Sequence, residues 1–251
     1  MADIGHDPFA CLRLGTAGWS IPSGVADHFP SDGSHLERYS RCFPATEINS
    51  SFYGPHRRTT YERWAGSVPA HFRFSVKLPK AISHATSIDD QEALIARFSD
   101  EVHGLGDKLG VLLVQFPPRH AFDQAAANEL FGRLVGTFQC AIACEPRHAS
   151  WFTPDANDLL VEHKVARVAA DPPPVQQADE PGGWSGLRYF RLHGSPVIYR
   201  SSYDEPTLVR LRDTIAEAMK TGADTWCIFD NTASAAAISN ALTLADLAGQ
   251  G

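Results

Sequence analysis

The stretch Phe72-Arg73-Phe74-Ser75-Val76-Lys77 alternates apolar residues with polar or charged ones. That is the two-residue period of a β-strand whose faces meet different surroundings. It is one of eight short apolar runs in the chain. The others are Leu12–Thr16, Ala45–Ser50, Val111–Phe116, Ala141–Glu145, Ala166–Asp171, Tyr189–His193 and Thr225–Asp230. Between most of them apolar residues recur at helical spacing, as Leu94, Ile95, Phe98 and Val102 do in Asp90–His103. The same logic predicts helices over His35–Phe43, Thr60–Ser67, Ala125–Phe138, Asp155–His163, Glu205–Lys220 and Ala233–Leu247. Ser34 suits an N-cap, and Pro154 and Pro206 suit first-turn positions. This alternation within 251 residues predicts an α/β fold, a single (β/α)8 TIM-like barrel over 1–251 with its core at about 12–247. Chemistry in such a barrel sits at the C-terminal ends of the strands.

The sixth connection breaks the pattern. Pro172, Pro173, Pro174, Pro181, Gly182, Gly183 and Gly186 exclude a regular helix between Asp171 and Trp184, so 172–186 reads as a lid or wall loop. Residues 1–10 and 248–251 read as loose ends. A hydrophobic fraction of 43% is ordinary for a globular protein, and the net charge of −7 disfavours bulk attraction to nucleic acid or anionic lipid. No apolar run approaches a membrane span, and the N-terminus lacks a cationic start followed by an apolar core. Five cysteines, an odd number, read as free thiols, and a cytoplasmic location follows from these features. His84, His103, His120 and His163 read as exposed.

Strand parity nominates an interior. If Phe72, Phe74 and Val76 face helices, then Arg73, Ser75 and Lys77 point the other way. Likewise Tyr189, Arg191 and His193 share one face, as do Glu47, Asn49 and Ala45. Val111, Leu113 and Gln115 form another such set, and Ala141, Ala143 and Glu145 a further one. Arg167, Ala169 and Asp171 are expected on the inner face of strand six, and Trp226, Ile228 and Asp230 on that of strand eight. Charges placed there must pair with one another or with a ligand.

The motifs Gly15-Thr16-Ala17-Gly18-Trp19, Glu47-Ile48-Asn49-Ser50-Ser51-Phe52-Tyr53, Phe74-Ser75-Val76-Lys77-Leu78-Pro79 and Gln115-Phe116-Pro117-Pro118 follow one another along the chain. They continue with Glu145-Pro146-Arg147-His148-Ala149-Ser150-Trp151, Arg191-Leu192-His193-Gly194 and Phe229-Asp230-Asn231. In this order they resemble the YecE-like family, domain of unknown function 72, from about residue 12 to about 247. The resemblance implies a TIM-like barrel of bacterial type and supplies no reaction. The chain departs from the family's usual pattern at Pro146, often Phe, and at Asp230, often Asn.

Three readings of the strand ends stand side by side. The first is metal-independent acid–base or carbonyl chemistry on a small polar, anionic molecule. There Glu145 and His193 move protons and Lys77 acts as base, Schiff-base nucleophile or electrophilic support. Glu47, Asn49, Tyr53, Arg147, His148, Trp151, Arg191 and Asn231 would position the substrate, with the guanidinium forks gripping its anion. The second is a divalent-metal hydrolase, isomerase or lyase using Glu145, Asp171, His193 and Asp230 as ligands. The third is a binding module without turnover, with Trp19, Trp151 and Trp184 available for stacking. No glycine-rich phosphate loop is present, so no nucleotide cofactor is predicted, and no nucleic-acid partner or membrane.

Overall fold

A computed structural model describes residue 9 and residues 11–54, 56–84 and 88–249. Most of residues 1–10, and 250–251 of the tail, lie outside the described residues.

The strands are β1 (Arg13–Thr16), β2 (Ala45–Ile48), β3 (Arg73–Lys77), β4 (Leu109–Gln115), β5 (Ala141–Glu145), β6 (Val165–Arg167), β7 (Ala169–Asp171), β8 (Gly182–Gly183), β9 (Leu187–Leu192) and β10 (Asp224–Phe229). The helices are α1 (His35–Ser40), α2 (Arg58–Gly66), α3 (Lys80–Ser83), α4 (Ile88–Val102), α5 (Gln124–Thr137), α6 (Pro154–Glu162), α7 (Glu205–Met219) and α8 (Ala236–Ala248). Ser34 caps α1 through a full capping box with Glu37, and Pro154 and Pro206 occupy first turns. The α3 turn after β3 has no apolar period to announce it. The sixth connection holds a short 3-10 turn at Gln176–Asp179 and the two-residue β8, which pairs antiparallel with β6.

Instead of one continuous ladder, the strands form two sheets. One runs β1-β10-β9-β7 and the other β2-β3-β4-β5-β6-β8, parallel except at β8. They meet at two places. Ala17 bridges Glu47 in parallel fashion, and the Thr46 hydroxyl donates to the Thr16 carbonyl at 2.9 Å. At the other seam the predicted sixth strand splits at Val168, so that β6 pairs with β5 and β7 with β9.

One face of each sheet packs on the helices, through residues such as Leu14, Ile48, Phe74, Val76, Leu112, Ile142, Phe190 and Cys227. The other faces meet in a second apolar cluster drawn from both sheets: Ala45, Val111, Leu113, Ala143, Ala166, Val168, Leu187, Tyr189, Trp226 and Ile228. Parity is therefore as expected for β2 to β5, β9 and β10. For the sixth run it is reversed. Ala166 and Val168 are in the second cluster, while Ala169 packs toward helices. The reason is compositional, because small apolar residues occupy both parities of Ala166–Ala170 and give the pattern no direction.

The β1–β2 seam depends on a close backbone approach. A Cβ at Gly15 would stand 2.0 Å from the Ala45 carbonyl oxygen, which accepts from the Tyr39 hydroxyl at 3.1 Å. Gly15→Ala is expected to lower stability by roughly 1–3 kcal/mol through overpacking, read as a lower urea midpoint. An unchanged midpoint would show that the seam can open without loss. The cysteines are free, with Cys144 and Cys227 buried, and among the described residues no helix is long and apolar enough to cross a membrane.

Candidate active site

Where the strands end, six charged or ionisable side chains converge: Glu47 from β2, Lys77 from β3, Glu145 from β5, Arg191 from β9, and His193 and Asp230 just beyond β9 and β10. Arg191 is the hub and is wholly buried. Its Nε and Nη2 donate to the two Glu47 oxygens at 3.0 and 2.7 Å, and Nη1 donates to Glu145 Oε2 at 3.0 Å. Nη2 also lies 2.9 Å from Asp230 Oδ2. The imidazole of His193 joins the same carboxylates, with Nε2 2.8 Å from Glu145 Oε1 and Nδ1 3.0 Å from Asp230 Oδ2. Arg147 reaches in from the loop after β5 and pairs with Glu145. Around this set, Gln115 donates to Glu145 at 3.0 Å, the Tyr189 hydroxyl donates to Glu47 at 3.0 Å, and Asn49 donates to Asp230 at 3.4 Å.

Electrostatics divides the cluster into fixed and adjustable charges. Burial pushes the Glu145 carboxyl up, yet Arg147, Arg191 and His193 outweigh it and hold that carboxyl well below the usual range. Asp230 is likewise held down, burial being overcome by Arg191 and by the bond to His193. Burial alone would lower the Arg191 value, but three carboxylates raise it well above the normal guanidinium range. These groups are locked in their charged forms.

Lys77 is different. Among the described residues its Nζ has no hydrogen bond or ion pair, and it sits 4.2 Å from the centre of the Phe52 ring. Burial and the Arg191 charge bring its pKa down to about 8, against the pull of Glu47, Glu145 and Asp230. Three carboxylates face two guanidiniums, so one negative charge of the cluster is left for Lys77 to answer across the space between them.

The structure thus brings together Glu47, Asn49, Lys77, Glu145, Arg147, Arg191, His193 and Asp230. It does not bring in the rest. Asp171 faces the helices, where its Oδ1 accepts from the Tyr203 hydroxyl at 2.7 Å, so the metal quartet of Glu145, Asp171, His193 and Asp230 does not converge. The Arg191 guanidinium stands between the remaining carboxylates, in the place a cation would take. Arg167 also points away and lies over the Phe152 ring.

Trp151 is buried against Phe116, with its indole N–H on the His120 carbonyl at 3.0 Å, and therefore packs the core instead of facing ligand. Trp19 and Trp184 pack on the two apolar clusters. His148 spends Nδ1 accepting from the Ser150 backbone as a turn cap. Asn231 donates to the Ser201 carbonyl and to Asn240, facing α8. Tyr53 is 85% exposed, edge-on to Phe52. Arg191 organises carboxylates and has no surface left to grip a substrate. Arg147, by contrast, is only partly buried.

Four participants were missed. Gln115 and Tyr189 lie on the parity already assigned inward, and Phe52 lies inside a quoted motif, so a signal existed. Tyr199, whose ring stands edge-on to His193 at 5.6 Å, comes from an irregular connection and had none.

The comparisons agree with the motifs. Relatives include the UPF0759 protein YunF of Bacillus subtilis, 27% identical over 209 residues, covering 79% of this chain and 69% of YunF. The UPF0759 protein YecE of Escherichia coli K12 is 28% identical over 176 residues, covering 66% of this chain and 61% of YecE. The aligned part is thus less than two thirds of YecE.

Among solved structures, a DUF72 family protein (EF0366) of Enterococcus faecalis V583 superposes with a TM-score of 0.78 at 23% identity over 95% of both chains. Another (TM1631), from Thermotoga maritima, gives 0.75 at 22% identity over 94% of this chain and 98% of that one. At such identities the likeness speaks to the fold alone. The family described as "Protein of unknown function DUF72" matches residues 13–251, and the chain belongs to that family.

Proposed function

We propose that the two sheets close into one (β/α)8 barrel and that the charged cluster is its active site. The protein is then an enzyme that runs acid–base or carbonyl chemistry on a small anionic molecule. The shared apolar cluster and the two seams support the barrel.

The observation that carries the chemistry is Lys77, a buried amine without a carboxylate partner and with a pKa of about 8. At pH 7 roughly a tenth of it is neutral, against fewer than about one in a thousand for an unperturbed lysine. The lone pair is thus available to attack a carbonyl carbon or to take a proton beside one. In the first case a C–N bond forms, the carbonyl oxygen takes up protons and leaves as water, and an iminium remains. Arg147 holds the substrate anion, and His193 stands ready to give or take the proton. Glu145, locked by two guanidiniums, anchors this arrangement and is a poor proton carrier.

Borohydride trapping tests the reading. The protein is incubated with aldehydes, ketones and 2-oxo acids, reduced, and weighed intact. A single adduct on Lys77, forming faster as pH rises through about 8 and absent in Lys77→Ala, is the expected outcome. No adduct with any compound, or the same adduct in Lys77→Ala, overturns the carbonyl reading.

A further inference from the structure

Beside Lys77 runs a groove of about 600 Å³ between the segment after β2 and α3, lined by Phe52, Tyr53, Pro79, Lys80 and His84. The Phe52 ring both lines the groove and lies against Lys77. Lys77 Nζ is 4.2 Å from that ring's centre, and the His84 ring centre is 5.5 Å from it. Those two legs place the imidazole centre within about 10 Å of the amine, the extended reach of a three-carbon chain counted with its phosphate and the bond at each end.

The charge around the groove is unlike that of the chain as a whole, whose net is −7. Lys80 and Arg119 are exposed, and among the described residues neither side chain has an ion pair. Burial first, and then the charges of Lys80 and Arg119, lower the pKa of His84, so its ring is neutral at pH 7. Its Nδ1 lies 2.9 Å from the Ser83 hydroxyl, which leaves Nε2 for a ligand. Asp123 is near enough to act on His120. An open concave surface lined by the exposed Lys80, with Arg119 near enough to act on His84, attracts anions. A mobile lysine ammonium suits a phosphate, whose near-dianionic charge at pH 7 answers more than one cation.

We propose that this groove is a phosphate subsite, and that the substrate is a phosphorylated carbonyl compound with its phosphate on Lys80 and His84 and its carbonyl at Lys77. The inference rests on the Lys77 reading for the carbonyl half only. Phosphate binding is measured apart from it.

Inorganic phosphate is titrated into the wild-type protein and into Lys77→Ala, following the His84 ring resonance, assigned through His84→Gln. A saturable shift in both proteins is expected, with a smaller response to acetate at equal ionic strength. Lys80→Ala should weaken it by about fivefold, the scale of one exposed charge pair. No saturable shift, an equal response to acetate, or indifference to Lys80→Ala overturns the subsite. Trapping then compares glyceraldehyde 3-phosphate with glyceraldehyde. A preference for the phosphorylated aldehyde of about tenfold, lost in the Lys80→Ala/His84→Gln protein, supports the whole inference. Equal trapping of both aldehydes overturns the subsite and leaves Lys77 as the nucleophile. A phosphate shift with no adduct from either aldehyde supports the subsite and counts against the carbonyl role of Lys77.

Discussion

Lys77→Met is expected to abolish adduct formation, to cut turnover by about 10²–10⁴-fold if the amine serves as a base, and to make the protein more stable at pH 7. Loss and gain have one cause. A lysine whose folded pKa is about 8 instead of 10.5 prefers to lose its proton on folding, so its ammonium costs the native state about 3 kcal/mol below pH 8. Between pH 8 and 10.5 the unfolded chain holds more protons than the folded one. Wild-type stability therefore climbs as pH rises through that window. Methionine is one atom shorter but keeps an unbranched apolar chain against Phe52 while removing the charge. The variant should gain about 1–3 kcal/mol at pH 7 and lose the climb between pH 8 and 10.5. Urea midpoints at pH 7, 8.5 and 10 read both effects. A wild-type profile that is flat over that range would show the amine to be solvated and ordinary.

Arg191→Met should have the opposite sign and a larger size. Its guanidinium faces Glu47, Glu145 and Asp230, and all three carboxylates are buried. Removing the cation leaves buried negative charge uncompensated, a loss of about 3–5 kcal/mol. The pH dependence distinguishes this from a packing defect. In the wild type Glu145 and Asp230 are depressed below their ordinary 4.5 and 3.8, so the stability they contribute is present above those values and is lost as pH falls through the folded ones. Without Arg191 burial pushes both carboxyls up, and protonation relieves the variant at a pH where the wild type is still ionised. The stability gap should thus narrow from pH 8 to pH 5, and Arg191→Lys should recover part of it. A gap independent of pH would assign the loss to shape alone.

The two variants separate positions that sequence alone reads alike. Lys77 and Arg191 are both cations on the inner parity of a strand, near its C-terminal end. Nothing in Phe74-Ser75-Val76-Lys77 or Tyr189-Phe190-Arg191 says which will collect carboxylates and which will be left without one. Glu47 and Arg191 are 144 positions apart, and their pairing depends on how far each side chain reaches across the space between the sheets. The same holds for aromatic residues. Trp151 sits in the densest functional-looking motif and packs the core, while Tyr199, from an unremarkable loop, meets the His193 ring.

What the sequence by itself determined was local and periodic. The strand runs, most of the helices, and the face on which Glu47, Lys77, Glu145, Arg191, His193 and Asp230 stand follow from side-chain spacing of two or 3.6 residues. The N-cap at Ser34 and the first-turn Pro154 follow from residue type. Only the tertiary structure decided the rest. It split the sixth run at Val168 and turned Arg167 and Asp171 toward the helices, because small residues on both parities carried no directional signal. It also placed Arg191 among three carboxylates and left Lys77 over Phe52, because Coulomb energy and desolvation depend on distance and burial, which no period along the chain encodes.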